Sequence, residues 1–167
     1  ARVPRVAAVP LRPSRPTSRR MADPGRPFLL AIGGFDPSGG AGVQADLKTF
    51  HQRGVYGEAV ITLLTVQNSR GVKSVQLVDP KYVLAQLDAA RKDIPPHAAK
   101  TGALGSAEMV RALARAAGSF RFPLVVDPVM FSKNNKCWRS NILKGYCILK
   151  KISHECCVSK QRSSSNI

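Results

Sequence analysis

The glycine-rich segment at residues 33–42, GGFDPSGGAG, is the part of the chain that points most directly to chemistry. Five of its ten residues are Gly, and it lies between an apolar run at residues 28–32 and a helical pattern. Glycine lets a backbone approach a ligand closely, and amides at a helix N-terminus attract polar or anionic groups. The segment is neither a Walker A loop nor G-x-G-x-x-G. It indicates a small-molecule site, with a tight strand-to-helix turn as the alternative.

Polar side chains follow other predicted strands. Gln67 comes directly after an apolar run at residues 59–66, and its amide offers a donor and an acceptor together, which matches the edge of an aminopyrimidine or a similar heterocycle. Lys100 and Asp127 mark the ends of two further strands. Ligands of parallel α/β sheets bind at the carboxyl ends of strands, so these side chains are expected to meet there. The alternatives are a solvated Gln67 and, for Asp127, a turn residue ahead of Pro128.

The order of predicted elements indicates how these residues are positioned. Apolar patterning predicts strands at residues 28–32, 59–66, 98–104 and 124–126, with a short extra strand at 72–78. Helices are predicted at residues 41–53, from the N-cap Asp79 to Pro95, and from the N-cap Ser106 to Gly118. Strands and helices that alternate in this way form βαβ units. The prediction is an α/β fold with a mostly parallel sheet and flanking helices.

The net charge of +16 is concentrated at the two ends of the chain. Residues 1–20 carry +6 and residues 131–167 carry +7, whereas residues 21–130 carry only +3. A DNA-binding domain usually carries its basic stripe on the folded body. The distribution therefore predicts no nucleic-acid partner, and both basic ends are expected to be disordered. A nucleic-acid binder that uses these ends is the alternative.

Residues 1–27 form an Arg/Pro-rich leader whose prolines leave no apolar segment for a secretory signal. A cytoplasmic location is predicted, with an organelle as the alternative if residues 1–20 are a transit peptide. The longest apolar run covers only residues 59–66, far short of the ~18–20 residues that span a bilayer, so no membrane partner is expected. All four cysteines fall in the tail at residues 134–167 without C-x-x-C spacing, and no metal site is predicted.

Several motifs together resemble one family. They are DPSGGAGVQADLKTF at residues 36–50, VYG at 55–57, QNSRGV at 67–72 and DPVM at 127–130. This combination resembles the hydroxymethylpyrimidine/phosphomethylpyrimidine kinases of thiamine biosynthesis, in the ribokinase-like superfamily, over residues 28–133. The resemblance implies the N-terminal half of a ribokinase-like fold. It also implies ATP- and Mg-dependent phosphorylation of hydroxymethylpyrimidine and then of its monophosphate, and a family-type homo-oligomer.

The resemblance also implies which residues form the substrate site. Gln67 would pair with the aminopyrimidine edge, Gly34 and Asp46 would line the pocket, and Ala103 and Val129 would form its apolar side. Asp36 and Lys100 would lie at or near the site, with Asp127 beside them, and no catalytic residue is assigned. Ala103 stands where the family usually has a methionine, which enlarges the pocket wall.

The tail at residues 134–167 matches none of the nucleotide or metal motifs of the family's second half. The chain is therefore interpreted as a partial phosphomethylpyrimidine kinase domain at residues 28–133, between a leader and an unrelated tail. On this interpretation it is a truncated copy that is inactive as a kinase. The alternative function is a non-catalytic pyrimidine-binding or interaction module.

Overall fold

The computed structural model describes residues 25–129 of the 167-residue chain. Residues 1–24 of the predicted leader, the predicted tail at residues 134–167 and the disorder expected of both lie outside the described residues. The elements within them are β1 (Phe28–Phe35), α1 (Gly42–Gln52), β2 (Tyr56–Asn68), β3 (Gly71–Leu77), α2 (Pro80–Asp93), β4 (Ala98–Thr101), α3 (Ala107–Ala117) and β5 (Leu124–Val126).

The described strands form one five-stranded sheet in the order β3-β2-β1-β4-β5. β1 runs parallel to β2 and to β4, and β4 runs parallel to β5. β3 alone is antiparallel, because a short turn joins it to β2 as a hairpin. The structure therefore confirms an α/β fold with a mostly parallel sheet.

The helices lie on both faces of this sheet. Leu30 and Ile32 of β1 are buried in the core cluster formed with α2 and α3. Alternate residues of a strand face opposite ways, so Ala31 and Gly33 face the other side. A Cβ at Gly33 would lie 3.6 Å from the Val43 side chain of α1, which places α1 on that second face. The sheet is thus covered by α2 and α3 on one side and by α1 on the other.

The main core is apolar throughout. Its sheet side includes Leu30, Ile32, Val60, Ala99, Leu124 and Val126, and its helix side includes Val83, Leu87, Met109, Val110 and Leu113. The apolar residues Met109, Val110, Leu113 and Ala117 form the buried face of α3. Burying one such aliphatic side chain stabilises the fold by roughly 1.5–3 kcal/mol before the cost of ordering it.

Side chains predicted to cap two helices do so. The Asp79 carboxylate accepts from the Lys81 backbone N–H at 2.7 Å, and Pro80 occupies the first turn of α2. The Ser106 hydroxyl accepts from the Met109 N–H at 3.1 Å at the start of α3. Each cap satisfies an amide that the helix itself leaves without a partner, and each fixes where its helix begins.

Several strand boundaries differ from the prediction. β2 begins at Tyr56 rather than at residue 59, and β3 covers Gly71–Leu77 rather than residues 72–78. β1 continues to Phe35, and β2 extends to Asn68 because it pairs with β3 up to the turn, where Asn68 accepts from the Arg70 N–H at 2.9 Å. β4 ends at Thr101 rather than at residue 104. The chain leaves the strand there: the Ala103 carbonyl accepts from the Thr62 hydroxyl at 2.6 Å, and Gly105 has φ +77°.

Candidate functional site

A cavity of about 380 Å³ opens where the parallel strands end at their carboxyl termini. We call it the strand-end cavity. All five residues predicted to bind the pyrimidine line it: Gly34, Asp46, Gln67, Ala103 and Val129. The three predicted to lie nearby, Asp36, Lys100 and Asp127, line it as well. The structure therefore brings together side chains from four strand ends, the glycine-rich loop and α1.

The glycine-rich loop is folded around the carboxylate of Asp36, a residue only 3% exposed. One carboxylate oxygen accepts from the Ser38 backbone N–H at 2.8 Å and from the Ser38 hydroxyl at 2.6 Å. The other accepts from the Ala41 N–H at 2.9 Å, at the residue that precedes α1. The Asp36 backbone N–H donates to the Gln44 side chain at 2.9 Å. One aspartate thus ties the loop to the first turn of the helix.

These hydrogen bonds hold Asp36 in its ionised form. Burial by itself raises the pKa of this carboxyl group, but hydrogen bonds from Ser38, the Gln67 amide and the Ala41 N–H outweigh that effect. The net result is a pKa below the ordinary aspartate value. The cavity therefore contains a fixed negative charge whose acceptor positions are already largely used within the loop.

Two glycines of the loop are required by close contacts. Gly42 has φ +60°, and a Cβ there would lie 2.3 Å from the carbonyl oxygen of Gly34. A Cβ at Gly34 would lie 2.7 Å from the Leu63 side chain and 3.7 Å from that of Ala103. Because Gly34 has no side chain, the cavity wall is shallow where β1 lies beside β2. Gly42 allows α1 to begin directly beside Gly34.

A cluster of three charged side chains, which we call the acid–lysine cluster, forms the opposite part of the cavity. Lys100 of β4 donates to both carboxylate oxygens of Asp46 on α1, at 2.8 and 3.0 Å. Its ammonium nitrogen lies 3.9 Å from a carboxylate oxygen of Asp127, which follows β5. All three side chains are partly exposed, between 18% and 29%.

The two acids of this cluster are not equivalent. Burial raises the pKa of Asp127 above its ordinary value; nearby Lys100 acts in the opposite direction, and Asp46 raises it further. The single lysine is committed to Asp46 at hydrogen-bonding distance, so it neutralises Asp127 only in part. The acid–lysine cluster therefore carries a residual negative charge when both acids are ionised.

Gln67 lies inside β2 rather than in a loop after it, which corrects the prediction. It is the penultimate residue of the strand, it is half-buried, and its backbone pairs with Val72 of β3 next to a register shift. The strand extends this far because the hairpin supplies a partner for its last residues. The side chain still reaches the strand-end cavity, so the predicted location holds although the predicted element does not.

The sequence predicted only part of the apolar wall of the cavity. Ala103 and Val129 belong to it as predicted, but Leu63, Val72 and Val75 contribute as well. The last two lie on β3, and their contribution depends on an antiparallel pairing with a register shift. Val72 and Val75 are three positions apart, a spacing that a regular strand would place on opposite faces, so no local alternation predicted that both would line the cavity.

Within residues 25–129, no group of three or more His, Cys, Asp and Glu side chains has the arrangement of a metal site. No helix in this same part of the chain combines the length and the apolar character needed to cross a membrane.

The sequence profile of the phosphomethylpyrimidine kinase family matches residues 36–143. The chain is 46% identical over 106 residues to the hydroxymethylpyrimidine/phosphomethylpyrimidine kinase of Escherichia coli K12, covering 63% of this chain and 40% of that protein. The same kinase of Synechococcus elongatus is 46% identical over 107 residues, covering 64% of this chain and 41% of its own length. The chain thus spans about two fifths of these relatives.

Solved structures agree with this match. Phosphomethylpyrimidine kinase from Clostridium difficile superimposes with a TM-score of 0.67 and 40% identity, covering 72% of this chain and 53% of that one. Pyridoxal kinase from Staphylococcus aureus in complex with pyridoxal gives a TM-score of 0.57 and 34% identity, covering 63% and 40%. The fold matches that of these ribokinase-like neighbours. The chain belongs to the phosphomethylpyrimidine kinase family.

Proposed function

We propose that the described residues form the pyrimidine-binding half of a kinase that phosphorylates hydroxymethylpyrimidine and then its monophosphate in thiamine biosynthesis. One observation carries the proposal: the eight residues selected from sequence come from separate elements, yet all line the same cavity. Residues that lie up to 95 positions apart in the sequence are not expected to line one cavity by chance. Membership of the phosphomethylpyrimidine kinase family supplies the substrate class.

The proposed binding mode assigns each group one task. The Gln67 amide, at the end of β2, pairs with the amino group and a ring nitrogen of the pyrimidine. Asp46, held by Lys100, contributes an oriented acceptor. Ala103 and Val129 contact the apolar face of the ring, and Gly34 leaves space for its edge. Ala103 has a smaller side chain than methionine, so we propose a roomier wall at this position.

ATP is the proposed phosphoryl donor. Similar structures include the pyridoxal kinase from Staphylococcus aureus in complex with AMP-PCP and in complex with ADP, at 34% and 31% identity. A magnesium ion would stabilise the negative charge that develops on the transferred phosphoryl group. The described residues do not fit such an ion, because Asp36 is tied to Ser38 and Asp46 to Lys100, and Asp127 with these acids forms no metal cluster. Mg therefore has no assigned ligand within residues 25–129.

The second candidate function is a pyrimidine-binding module without catalysis. The observation that favours it is that two acids of the cavity already have hydrogen-bond partners within the protein. Asp36 is saturated by loop hydrogen bonds and Asp46 is held by Lys100, so neither acid is free to take a proton from a substrate hydroxyl. Both candidates require the same binding site, and they differ only in turnover.

Two measurements on the full 167-residue chain separate these functions. Titration calorimetry with 4-amino-5-hydroxymethyl-2-methylpyrimidine measures binding, and a coupled ADP-release assay with Mg-ATP measures turnover. Saturable binding with ADP release above the enzyme-free control establishes the kinase. Saturable binding without ADP release establishes the module. If the chain showed no binding and no turnover, both proposals would be contradicted.

A further inference from the structure

The acid–lysine cluster contains one acid that the protein leaves incompletely satisfied. Lys100 donates to both oxygens of Asp46 but lies 3.9 Å from the nearest oxygen of Asp127, beyond hydrogen-bonding distance. Among the side-chain hydrogen bonds resolved in residues 25–129, none involves the Asp127 carboxylate. Asp36, the remaining cavity acid, is by contrast surrounded by donors from its own loop.

The position of Asp127 is nevertheless fixed by its backbone. Its N–H donates to the Thr101 carbonyl at 3.2 Å, which continues the pairing of β5 with β4. Its carbonyl accepts from the Val129 N–H at 2.9 Å, which forms the turn after the strand. The carboxylate is therefore held at the cavity wall by main-chain contacts, while its acceptor oxygens face space that a ligand can occupy.

Gln67 and Asp127 lie at opposite sides of this space. Gln67 belongs to β2 and Asp127 follows β5, and the strand order separates these strands by three spacings. At ~4.8 Å per spacing the two backbones are roughly 14 Å apart. Two side chains that point inward across such a gap leave room for one substituted six-membered ring. A ring whose amino edge meets Gln67 would present another substituent to Asp127.

We propose that Asp127 is a specificity-determining residue that accepts a hydrogen bond from the hydroxymethyl group of the bound pyrimidine. This inference rests on the proposed function, because it takes the aminopyrimidine alcohol as the ligand. The contact discriminates against pyrimidines that lack a donor at this position, since they leave a partly buried carboxylate without a partner. Asp46 remains paired with Lys100 and contributes less to this choice.

The same geometry couples binding of the alcohol to the release of a proton from Asp127. Burial and Asp46 raise the pKa of Asp127, and Lys100 offsets this only partly. A hydroxyl that donates to the carboxylate stabilises the ionised form, so binding lowers this pKa and releases a proton when the free site is protonated. Affinity for the alcohol consequently falls as the pH decreases through the raised pKa of Asp127.

The test compares two ligands and three forms of the full chain by titration calorimetry. The ligands are the pyrimidine alcohol and 4-amino-2,5-dimethylpyrimidine, which lacks only the hydroxyl. Asp127→Ala should weaken alcohol binding by about 10- to 100-fold and should change binding of the dimethyl analogue by less than about threefold. The matched control Asp88→Ala, on the exposed surface of α2, should change neither.

Asp127→Asn provides a second variant that preserves shape. At an acidic pH where the free Asp127 carboxyl is partly protonated, it should abolish the proton release measured for alcohol binding in two buffers of different ionisation enthalpy. Equal weakening of both ligands by Asp127→Ala, or unchanged proton release in Asp127→Asn, would overturn the role of Asp127 while leaving the proposed function intact. Failure of the unsubstituted chain to bind either pyrimidine would overturn the proposed function and this inference together.

Discussion

Lys100 donates hydrogen bonds to both oxygens of Asp46 across 54 positions of sequence, and this pair fastens α1 to the end of β4. The two side chains are 29% and 18% exposed, so solvent screens them less than a surface pair. Asp127 on the far side of the lysine makes the arrangement asymmetric, since one cation serves two acids. The pair therefore combines a structural role with control of the charge in the strand-end cavity.

Replacing Lys100 with methionine should destabilise the chain by about 1–3 kcal/mol at pH 7. The substitution keeps most of the side-chain volume but leaves Asp46 and Asp127 facing each other without a cation. Urea denaturation followed by circular dichroism measures the loss. Lys92→Met is the control, because Lys92 pairs with Asp88 on the exposed face of α2 and should contribute less than about 0.5 kcal/mol. Equal losses in the two variants would contradict a special role for Lys100.

Gln67→Ala should weaken binding of the pyrimidine alcohol by roughly 10- to 100-fold, because a paired donor and acceptor are lost at the aminopyrimidine edge. Titration calorimetry of the full chain measures the change. Gln76→Ala is the matched control, since Gln76 lies on the exposed part of β3 and does not line the cavity. Similar affinity loss in both variants would point to a disturbed hairpin rather than to a lost ligand contact.

Asp36 should give the chain a stability that depends on pH. Because its folded-state pKa is lowered, its contribution is present above the unfolded-state aspartate pKa of about 3.9 and is lost as the pH falls through the folded value. Asp36→Asn should therefore cost about 1–3 kcal/mol at pH 7, where its new N–H₂ group would face a backbone donor. Urea unfolding at pH 7 and pH 3 should show this cost shrinking at the lower pH. A cost that stays constant would mean that the ionised carboxylate is not responsible.

Gly42→Ala should be more damaging than Gly54→Ala, although both glycines have positive φ. A side chain at either position costs about 1–2 kcal/mol of backbone strain. Only Gly42 also has a neighbouring carbonyl oxygen 2.3 Å from the new Cβ, whereas Gly54 has no atom within 4 Å. Gly42→Ala should consequently cost about 3 kcal/mol or more, measured by thermal or urea unfolding. Equal costs would show that the loop can move α1 away from Gly34 without penalty.

The sequence was informative wherever the signal was local. The strand at residues 124–126 is observed as predicted, and the caps at Asp79 and Ser106 form the expected hydrogen bonds. Each of these features depends on a few consecutive residues whose types have strong preferences. The location of Gln67 near a strand end was equally predictable, because the apolar run before it is β-rich.

Features that depend on distant partners were not predictable in the same way. The extension of β2 through Gln67 requires β3 as its pairing partner, and the register shift between the two strands brings Val72 into the cavity wall. The bidentate contact between Lys100 and Asp46 requires α1, which packs on β1 and β2, to lie at an angle that brings Asp46 within reach of β4. No local pattern encodes such an angle, because it results from the packing of side chains along the whole interface.

The antiparallel hairpin gives the strand-end cavity two walls that differ in how readily they can change. Gly34 and Lys100 lie on strands that are each paired with neighbours on both sides, so altering them disturbs the centre of the sheet. Val72 and Val75 lie on β3, which among residues 25–129 pairs only with β2. A few consecutive codons thus encode the part of the apolar wall that β3 contributes. Substitutions or insertions in that short stretch can reshape ligand preference while the parallel strands keep their register, which makes the hairpin the natural target for selecting new substrates.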